Sequence, residues 1–350
     1  MNLGLFLSPG DSVEKHKQSG QLDRFLKYYL EPYSKFFNHI YLFTYGDSDK
    51  HYLLPSQLKL IPKPKIIPNY LYQLILVFIH WKIIKTIDIN RVFQAPGGIP
   101  ALIAKIIFNK PYVVTYGYDY VFFAKKSGRF GLAFLLSLMI PVVLKLAQKI
   151  IVTTPANLQL ENTVLIPNGV NPRQFKPQGR RRPDLILAVG RLEPQKNYPL
   201  LIEAVSRCRP GIKLVIVGQG SLRNTLLHQA KKLGVDLVIL NNLPHSRLIN
   251  WYQRCSIYTL TSGYEGHPKT LLEAMSCACP VITTSFSGNL ITNLVNGLIC
   301  RHRQALTAAI DKLREDSVLA HNLGLQARQS VLHQYDIKTL VNKEVKLLSS

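Results

Sequence analysis

Short runs of β-branched and other apolar residues alternate with segments of helical period along the whole chain. In the first half, this pattern predicts strands at 3–7, 40–44, 58–61, 91–94, 112–116 and 149–153 and helices near 21–37, 70–87, 99–108 and 129–147. In the second half, it predicts strands at 185–189, 213–217, 236–240, 257–261 and 281–284, again separated by helices. Apolar strands that alternate with helices are typical of parallel sheets covered on both faces. Two doubly wound α/β domains are therefore predicted.

The segment 171–183 is rich in proline, glycine and charge, which is typical of a linker. It divides the chain into an N-terminal domain over 1–170 and a C-terminal domain over 184–330. The remaining residues, 331–350, are predicted to form a C-terminal helix that packs back toward the N-terminal domain. The three arginines at 180–182 are interpreted as part of a solvated linker rather than as a nucleic-acid patch.

The charge is strongly positive, with 43 Lys and Arg against 20 Asp and Glu and a formal net charge of +23. Such a charge indicates a polyanionic neighbour, which can be nucleic acid, anionic lipid or a phosphorylated substrate. The first residues lack a basic segment and are interpreted as a β-strand, so no secretory signal is predicted. The five cysteines have no CxxC spacing and are predicted to be buried, reduced thiols of a cytosolic protein.

The stretch from Gly131 to Leu144 carries no charge but is interrupted by Pro141. It is shorter than the roughly 20 residues that a membrane-spanning helix needs. A buried helix is one interpretation. The other is a helix that lies in a membrane surface, because the basic residues Lys125, Lys126 and Arg129 stand directly before the stretch.

The segment 261–275 contains the most informative candidate site. A strand is predicted to end near Thr261, a loop with glycine and proline follows, and a helix is predicted to begin near Thr270. The free N–H groups and the dipole of a helix N-terminus suit a phosphate or a sugar hydroxyl. Thr270 and Glu273 also fit a capping box, in which Glu273 has a purely structural role. A capping box leaves the loop carboxylate of Glu265 unexplained.

Glu265, seven intervening residues and then Glu273 resemble the E-x7-E motif of the family 4 glycosyltransferases. The string Val189-Gly-Arg-Leu-Glu-Pro-Gln-Lys196 is similar to the family's VGRL-x-x-x-K signature, and 164–175 is similar to its segment between the two domains. The matches span roughly residues 160 to 300. The resemblance implies the GT-B fold, in which two doubly wound, Rossmann-like domains face each other across a cleft, and a retaining sugar transfer from a nucleotide-diphosphate donor.

The resemblance also implies roles for individual residues. Glu273 would hold the ribose hydroxyls, Glu265 would contact the transferred sugar, and Arg191 and Lys196 would neutralise the departing diphosphate. Arginine and lysine suit the binding of a diphosphate, since Arg offers a planar fork to phosphate oxygens and Lys offers a mobile point charge. The further candidates for donor binding are Gly190, Gly266, His267, Pro268, Lys269 and Thr270.

Two candidates lie in the predicted N-terminal domain. Gly20 is expected to open a helix where the family places small residues against the diphosphate, although it is equally typical of an ordinary helix start. Asp119 follows a predicted strand in a region where relatives carry a functional His or Asp, and it is the candidate for acceptor orientation. Its alternative is a loop-capping Asp. The chain departs from the family at Ala278, where a glycine is usual, and after Ser287-Gly288, where a common acidic residue is missing.

A metal site is not expected. Asp47-Ser-Asp49 matches the Asp-x-Asp pattern of a metal-binding pair but is interpreted as a polar turn. Positive side chains and a helix N-terminus would replace the cation that other transferases use. The expected activity is transfer of a hexose from a nucleotide-diphosphate sugar, without other cofactor, to a glycan or lipid-linked glycan. The expected location is the cytoplasm, with peripheral attachment to an anionic inner membrane surface.

Three alternatives remain open. A nucleotide-sugar epimerase or hydrolase could use the same scaffold and would consume donor without an acceptor. A nucleic-acid-binding protein is suggested only by the charge, and no recognised reader motif is present, so nucleic acid is not an expected partner. A catalytically silent sensor of sugar nucleotides is disfavoured, because Arg191, Lys196, Glu265 and Glu273 are all retained.

Overall fold

A computed structural model describes residues 1–47, Tyr52, 54–286 and 290–349. The chain forms two compact units. The first comprises Met1–Pro167 together with Leu340–Ser350, and the second comprises Asn168–Thr339. Each unit is built on one parallel sheet with helices on both faces, so the two predicted doubly wound domains are confirmed.

The first sheet has the strand order β3-β2-β1-β4-β5-β6-β7, and every neighbouring pair is parallel. Its strands are β1 (Asn2–Phe6), β2 (His39–Thr44), β3 (Leu58–Pro62), β4 (Ile89–Val92), β5 (Tyr112–Tyr116), β6 (Lys149–Val152) and β7 (Thr163–Leu165). The three-residue strand β7 was not predicted, because so short a run carries no readable pattern.

The helices of the first unit connect these strands. They are α1 (Val13–Gln18), α2 (Leu22–Phe25), α3 (Glu31–Ser34), α4 (Asn69–Ile79), α5 (Trp81–Thr86), α6 (Ile99–Phe108), α7 (Tyr120–Lys126) and α8 (Phe130–Lys145). The helix predicted near 21–37 is present over 22–34, but it is not a regular α-helix throughout. A π-helical turn at Leu26–Leu30 separates α2 from α3, and Pro32 stands in the first turn of α3. Proline lacks the N–H that an uninterrupted helix would need there.

The second sheet has the order β10-β9-β8-β11-β12-β13 and is also parallel throughout. Its strands are β8 (Arg182–Val189), β9 (Lys213–Val217), β10 (Asp236–Leu240), β11 (Cys255–Leu260), β12 (Val281–Thr284) and β13 (Leu298–Cys300). The remaining helices are α9 (Tyr198–Val205), α10 (Arg223–Lys232), α11 (His245–Arg254), α12 (Lys269–Ser276), α13 (Arg303–Glu315), α14 (Ser317–Gln334) and α15 (Ile337–Ser349). All five cysteines are free, and only Cys208 is partly exposed.

The segment 171–183 lies within the second unit rather than between the two units. Its residues 176–180 are exposed, whereas Phe175 and Arg181 on either side of them pack into that unit. The Phe175 ring is 2% exposed and belongs to the core of that unit. The Arg181 guanidinium donates hydrogen bonds to the carbonyl oxygens of Tyr252, Cys255 and Cys277. A buried aromatic ring and an arginine with several backbone partners are not features of a mobile linker. The local composition conceals these contacts because their partners lie more than seventy positions away.

The apolar stretch at 131–144 forms most of α8, but only one stripe of this helix is buried. Ala133, Leu136, Ile140 and Val143 pack against the first sheet. On the outward side, Phe134 is 68% exposed, so the interpretation as a buried helix is wrong for that face. No helix in the described part of the chain combines the length and the apolarity that crossing a bilayer requires.

Helix α15 is joined to the first unit through a buried ion pair. Arg91 Nε on β4 lies 2.5 Å from Glu344 Oε1, and the two side chains are 3% and 5% exposed. The Tyr33 hydroxyl donates to the same oxygen at 2.5 Å. The Arg91 guanidinium also donates to Thr115 Oγ1, at 2.7 Å, and to the carbonyl oxygen of Val92. This network connects the carboxyl ends of β4 and β5 to the end of the chain.

Candidate functional site

The candidate site lies in the loops that follow β8 and β11, which are parallel neighbours in the second sheet. The chain moves outward from β8 to β10 and then returns to place β11 on the other side of β8. In doubly wound sheets, such a reversal of strand order leaves a crevice at the carboxyl ends, where ligands bind. The residues that the sequence singled out, 190–197 and 261–268, form these two loops.

Hydrogen bonds join the two loops directly. The Gly263 N–H donates to the carbonyl oxygen of Gln195 at 2.9 Å, and the Gln195 side-chain amide donates to the carbonyl oxygen of Tyr264 at 2.9 Å. The Thr261 hydroxyl donates to the carbonyl oxygen of Lys196 at 2.9 Å. These bonds fix the backbone of the cationic loop against the backbone of the loop that carries the first glutamate.

Lys196 and Glu265 form an ion pair at the centre of this arrangement. Lys196 Nζ lies 2.5 Å from Glu265 Oε1, and the side chains are 13% and 10% exposed. The Ser262 hydroxyl donates to the same oxygen at 2.6 Å. Because an ammonium group has three donor hydrogens, the ion pair leaves Lys196 able to donate to a second acceptor. The pair therefore places a cation and a carboxylate together at the edge of the crevice.

Arg191 lies on the same loop as Lys196 and is exposed. Its guanidinium donates to Gln195 Oε1 at 3.3 Å, a long hydrogen bond on a solvated side chain. Such a side chain can reorient toward an anion at little cost. The structure thus brings Arg191, Lys196 and Glu265 onto adjoining loops of one unit, as expected from the sequence.

Helix α12 begins at Lys269, with Pro268 as its N-cap and no side-chain hydrogen bond to the cap. The capping box proposed for Thr270 and Glu273 is therefore wrong. Thr270 lies inside the helix, where its hydroxyl oxygen accepts a hydrogen bond from the Tyr258 hydroxyl at 2.8 Å. Helix α12 starts directly after the loop that carries Glu265, at the carboxyl edge of the sheet, and a helix N-terminus is suited to an anion.

Glu273 is buried, with 2% of its surface exposed. Its Oε2 accepts a hydrogen bond from the Tyr252 hydroxyl at 2.9 Å, and its Oε1 lies 3.8 Å from His245 Nε2. Burial, and secondly the charge of Glu273, raise the pKa of Tyr252 well above its usual value. The phenol therefore stays protonated at physiological pH and remains a donor to the carboxylate. Tyr252 and His245, on α11, were not predicted, since nothing local marks them as partners of Glu273.

Glycines allow the loop after β9 to pack against the loop after β8. A Cβ atom on Gly218 would lie 1.9 Å from the carbonyl oxygen of Gly190, and one on Gly220 would lie 2.5 Å from that of Leu192. Neither position can therefore carry a side chain without moving the cationic loop. A sequence signal was available for both residues, because Gly-x-Gly directly after a strand is typical of a ligand-binding turn.

The residues between Glu265 and α12 are held from within the second unit. The Asn168 side-chain amide donates to the carbonyl oxygen of His267 at 2.7 Å, and the His267 ring packs 5.4 Å from the ring of Tyr335. His267 and Pro268 are buried, Gly266 is half-buried and Lys269 is exposed. Asn168 was not identified beforehand, because the segment around it was assigned only a joining role.

The two candidates in the first unit have structural roles there. Gly20 has a φ of +72° and lies between α1 and α2, where its N–H donates to the carbonyl oxygen of Lys17. It follows α1 in the left-handed conformation that glycine favours and stands directly before Gln21, the N-cap of α2, so the prediction that this segment opens a helix is confirmed. Asp119 is the N-cap of α7, and its Oδ1 accepts a hydrogen bond from the Phe122 N–H at 2.9 Å. Asp119 therefore caps α7, as its alternative interpretation has it, and its side chain is also exposed.

Asp47 has a capping role as well. Its carboxylate accepts hydrogen bonds from the N–H groups of Val13 and Glu14, both at 2.9 Å, at the start of α1. Asp49 lies outside the described residues, as does Ser287-Gly288. Within the described ranges, there is no group of three or more His, Cys, Asp or Glu side chains placed to hold a metal ion.

Comparison with known proteins finds relatives of the second unit. Residues 170–330 match the family described as glycosyl transferases group 1. Over 103 residues, the chain is 36% identical to an N-acetylgalactosaminyltransferase from Campylobacter jejuni that acts on N-acetylgalactosamine-N,N'-diacetylbacillosaminyl-diphospho-undecaprenol, covering 28% of this chain and 27% of that protein. Over 194 residues, it is 30% identical to glycogen synthase from Mycobacterium tuberculosis, covering 52% and 47%. The matches thus span about half or less of these relatives.

A third relative is an α-1,3-galactosyltransferase from Escherichia coli named for UDP-Gal and GlcNAc-diphosphoundecaprenol, 28% identical over 206 residues that cover 51% of this chain and 52% of that protein. Solved structures match over nearly the whole length. Sucrose-phosphate synthase from Thermosynechococcus elongatus has a TM-score of 0.80 at 19% identity, covering 99% and 98% of the two chains. Anabaena HepE with UDP and glucose has a TM-score of 0.76 at 19% identity, covering 99% of each. These likenesses confirm the predicted GT-B fold.

Proposed function

We propose that the chain is a retaining glycosyltransferase, because residues 170–330 match the family of group 1 glycosyl transferases. It moves a hexose from a nucleotide-diphosphate sugar to a glycan or lipid-linked glycan. The observation that carries the proposal is the ion pair between Lys196 and Glu265, close in sequence to the N-terminus of α12, which has no side-chain cap. A pyrophosphate with a sugar attached needs such a combination of cations, backbone N–H donors and a carboxylate that accepts from sugar hydroxyls.

The donor lies along the carboxyl edge of the second sheet. Arg191 and Lys196 contact the diphosphate, and the N–H groups at the start of α12 contribute further donors. Glu265 accepts a hydrogen bond from the sugar. Glu273, oriented by Tyr252, accepts from the ribose hydroxyls. A base preference for uracil is supported by HepE, whose structure contains UDP.

The transfer breaks the bond between the anomeric carbon and the β-phosphate oxygen, and the diphosphate leaves with the electron pair. Arg191 and Lys196 stabilise the charge that develops on this leaving group, which is electrostatic catalysis by preorganised groups. The acceptor oxygen forms the new bond on the face that the diphosphate leaves. The acceptor's proton passes to a diphosphate oxygen, so that stereochemistry is retained and charge is balanced.

The acceptor is a lipid-linked glycan, and Asp119 orients it. This proposal is supported by the relatives from Campylobacter jejuni and Escherichia coli, whose names specify diphosphoundecaprenol-linked acceptors. The corresponding location is the cytoplasmic side of a membrane, with peripheral attachment that uses the positive charge of the chain.

A nucleotide panel tests the donor site. Thermal unfolding is measured with UDP, GDP, ADP and CMP, and we expect one diphosphate to raise the midpoint, because a ligand specific for the native state stabilises it. The same stabilisation is expected in excess EDTA, since side chains and a helix N-terminus replace a metal. Stabilisation that disappears with EDTA would contradict metal independence, and no response to any nucleotide would contradict the donor site. Donor consumption that does not increase with acceptor would instead favour a hydrolase or epimerase.

A further inference from the structure

Helices α4, α6 and α8 form one layer over a face of the first sheet. Helix α4 packs on α6, and α6 packs on α8. All three contribute their inward side chains, such as Leu76, Ala104 and Leu136, to the same hydrophobic core. Their outward faces therefore lie next to one another on the surface of the first unit. We call this surface the α4-α6-α8 face.

The α4-α6-α8 face is apolar, although it is directed away from the core. The large apolar residues exposed on it are Tyr70, Leu71, Leu74 and Phe78 on α4, Ile106 and Ile107 on α6, and Phe130, Phe134, Leu135, Leu138 and Val142 on α8. Helix α4 contains no charged residue. A helix at the surface of a globular protein normally has a polar outward face. Single exposed apolar residues are ordinary, but a continuous apolar surface on three adjacent helices marks an interaction site.

The charge around this face has one sign. Residues 59–149 contain 13 Lys or Arg and only two acidic residues, Asp88 and Asp119. Both acidic side chains serve local structure, because Asp88 accepts from the Asn2 N–H and Asp119 caps α7. The exposed basic residues at the ends of these helices and of their neighbours are Lys65, Lys82, Lys85, Lys125, Lys126, Arg129 and Lys145. The face therefore combines apolar side chains with a basic surround.

This combination fits an anionic lipid surface better than the other possible occupants. A second copy of the chain would bring the same positive charge to the face, and like charges would oppose the contact. A nucleic acid would use the basic residues but would leave the aliphatic side chains exposed to water. An anionic bilayer satisfies both, since apolar side chains enter the boundary between headgroups and acyl chains while lysines and arginines stay among the anionic headgroups.

The lengths of the helices support a position in the interface. Helix α4 has 11 residues and α8 has 16, both shorter than the roughly 20 that span a bilayer. Aromatic side chains with nearby lysines suit the headgroup region. Lys85 Nζ lies 4.7 Å from the centre of the Trp81 ring, and Lys126 Nζ lies 5.8 Å from that of Phe122.

The acceptor-side loop of the first unit is close to this face. Helix α7 begins directly after the loop that ends with Asp119 at the carboxyl end of β5, and it packs along α8. Its last residues are Lys125 and Lys126. We propose that the α4-α6-α8 face docks on an anionic lipid bilayer and thereby places the loop at Asp119 beside an acceptor carried by that bilayer. The identity of the acceptor rests on the proposed function, whereas the docking rests on the surface of the first unit.

Flotation with phosphatidylcholine vesicles, with and without phosphatidylglycerol, tests the docking surface. The full chain is compared with a double variant, Phe134→Gln/Leu138→Gln, whose substitutions fall on outward positions of α8. The matched control is Val318→Gln/Leu325→Gln, which changes two exposed apolar residues of α14 in the second unit. We expect the wild type and the control to float with phosphatidylglycerol-containing vesicles and to be released by salt. The α8 variant is expected to bind at least about tenfold less.

The inference would be overturned if the α8 variant floated as well as the wild type, or if flotation of the wild type did not depend on phosphatidylglycerol. It would also be overturned if the wild type formed a stable dimer and, of the two variants, only the α8 variant were monomeric. The last result would mean that a second copy covers the face. Thermal stabilisation by UDP, measured on the same preparations, separates this question from the donor site. Unfolding midpoints of both variants close to that of the wild type, measured without nucleotide, show that each is folded. Absence of a response to every nucleotide of the panel in the wild type would contradict the proposed donor site, whereas flotation alone decides the docking surface.

Discussion

The buried ion pair between Arg91 and Glu344 yields a prediction about the stability of the first unit. Glu344→Ala removes the carboxylate that accepts from Arg91 Nε and from the Tyr33 hydroxyl, both at 2.5 Å. The Arg91 side chain, 3% exposed, would remain charged in the interior without its partner. Burial, the largest cause that raises the pKa of Tyr33, persists in the variant, so the phenol stays protonated and does not replace the lost negative charge.

Removing one partner of a buried ion pair costs about 3–5 kcal/mol, because the other charge stays desolvated. The matched control is Glu315→Ala, which removes the same residue type from the Arg209–Glu315 pair, where the side chains are 71% and 48% exposed. Exposed pairs of this kind contribute about 0–1 kcal/mol. The two variants should therefore differ by about 2–5 kcal/mol, although both break an Arg–Glu contact of 2.5 Å.

Urea unfolding followed by hydrogen exchange measures this difference unit by unit. For Glu344→Ala, we expect earlier unfolding of the first unit and faster exchange at 116–119, because the network also holds Thr115 at the end of β5. The control should exchange like the wild type in that loop. Shifts of the same size in the two variants, within about 1 kcal/mol, would refute the argument that burial determines the value of the pair.

Two further substitutions test the second unit. Tyr252→Phe keeps the ring but removes the hydrogen bond to the buried Glu273. We therefore expect the free energy of unfolding to fall by about 1.5–3 kcal/mol and donor binding to weaken. Unchanged stability and affinity would mean that Tyr252 does not support Glu273. Ala278 has a φ of +54°, so Ala278→Gly should raise the free energy of unfolding by about 0.5–1 kcal/mol. The control Ala308→Gly, at an exposed interior position of α13, should lower it by about 1 kcal/mol, and a loss of stability in both would contradict the strain at Ala278.

Much of the fold could be predicted because most of the strands are buried on both faces and appear as continuous apolar runs. The same signal gives an incorrect prediction at α8. A helix that is apolar all round looks buried in the sequence, whereas only the structure shows that Phe134 is directed outward. The strands β7 and β13 were missed because each has three residues and is defined by pairing with a neighbour, not by its own pattern.

The loops of the candidate site were predictable because their residues stand close together in the sequence and follow strands. Their supports were not. Tyr252 and Asn168 reach Glu273 and His267 from 21 and 99 positions away, and no local spacing marks such contacts. Local spacing instead suggested a capping box for Glu273, which fails because α12 begins at Lys269 without a side-chain cap. Asp119 shows the reverse case, since its capping role follows from local sequence alone.

The central claim is that Lys196 binds the donor's diphosphate. Calorimetric titration of UDP and of uridine into the wild type, Lys196→Ala and the control Lys232→Ala, on α10, tests it most directly. A hydrogen bond to a charged group is worth about 1.5–3 kcal/mol, so Lys196→Ala should weaken UDP binding roughly 10- to 100-fold, while uridine, which has no phosphate, binds all three proteins alike. Unchanged UDP affinity in Lys196→Ala, or an equal loss for uridine, would contradict the claim.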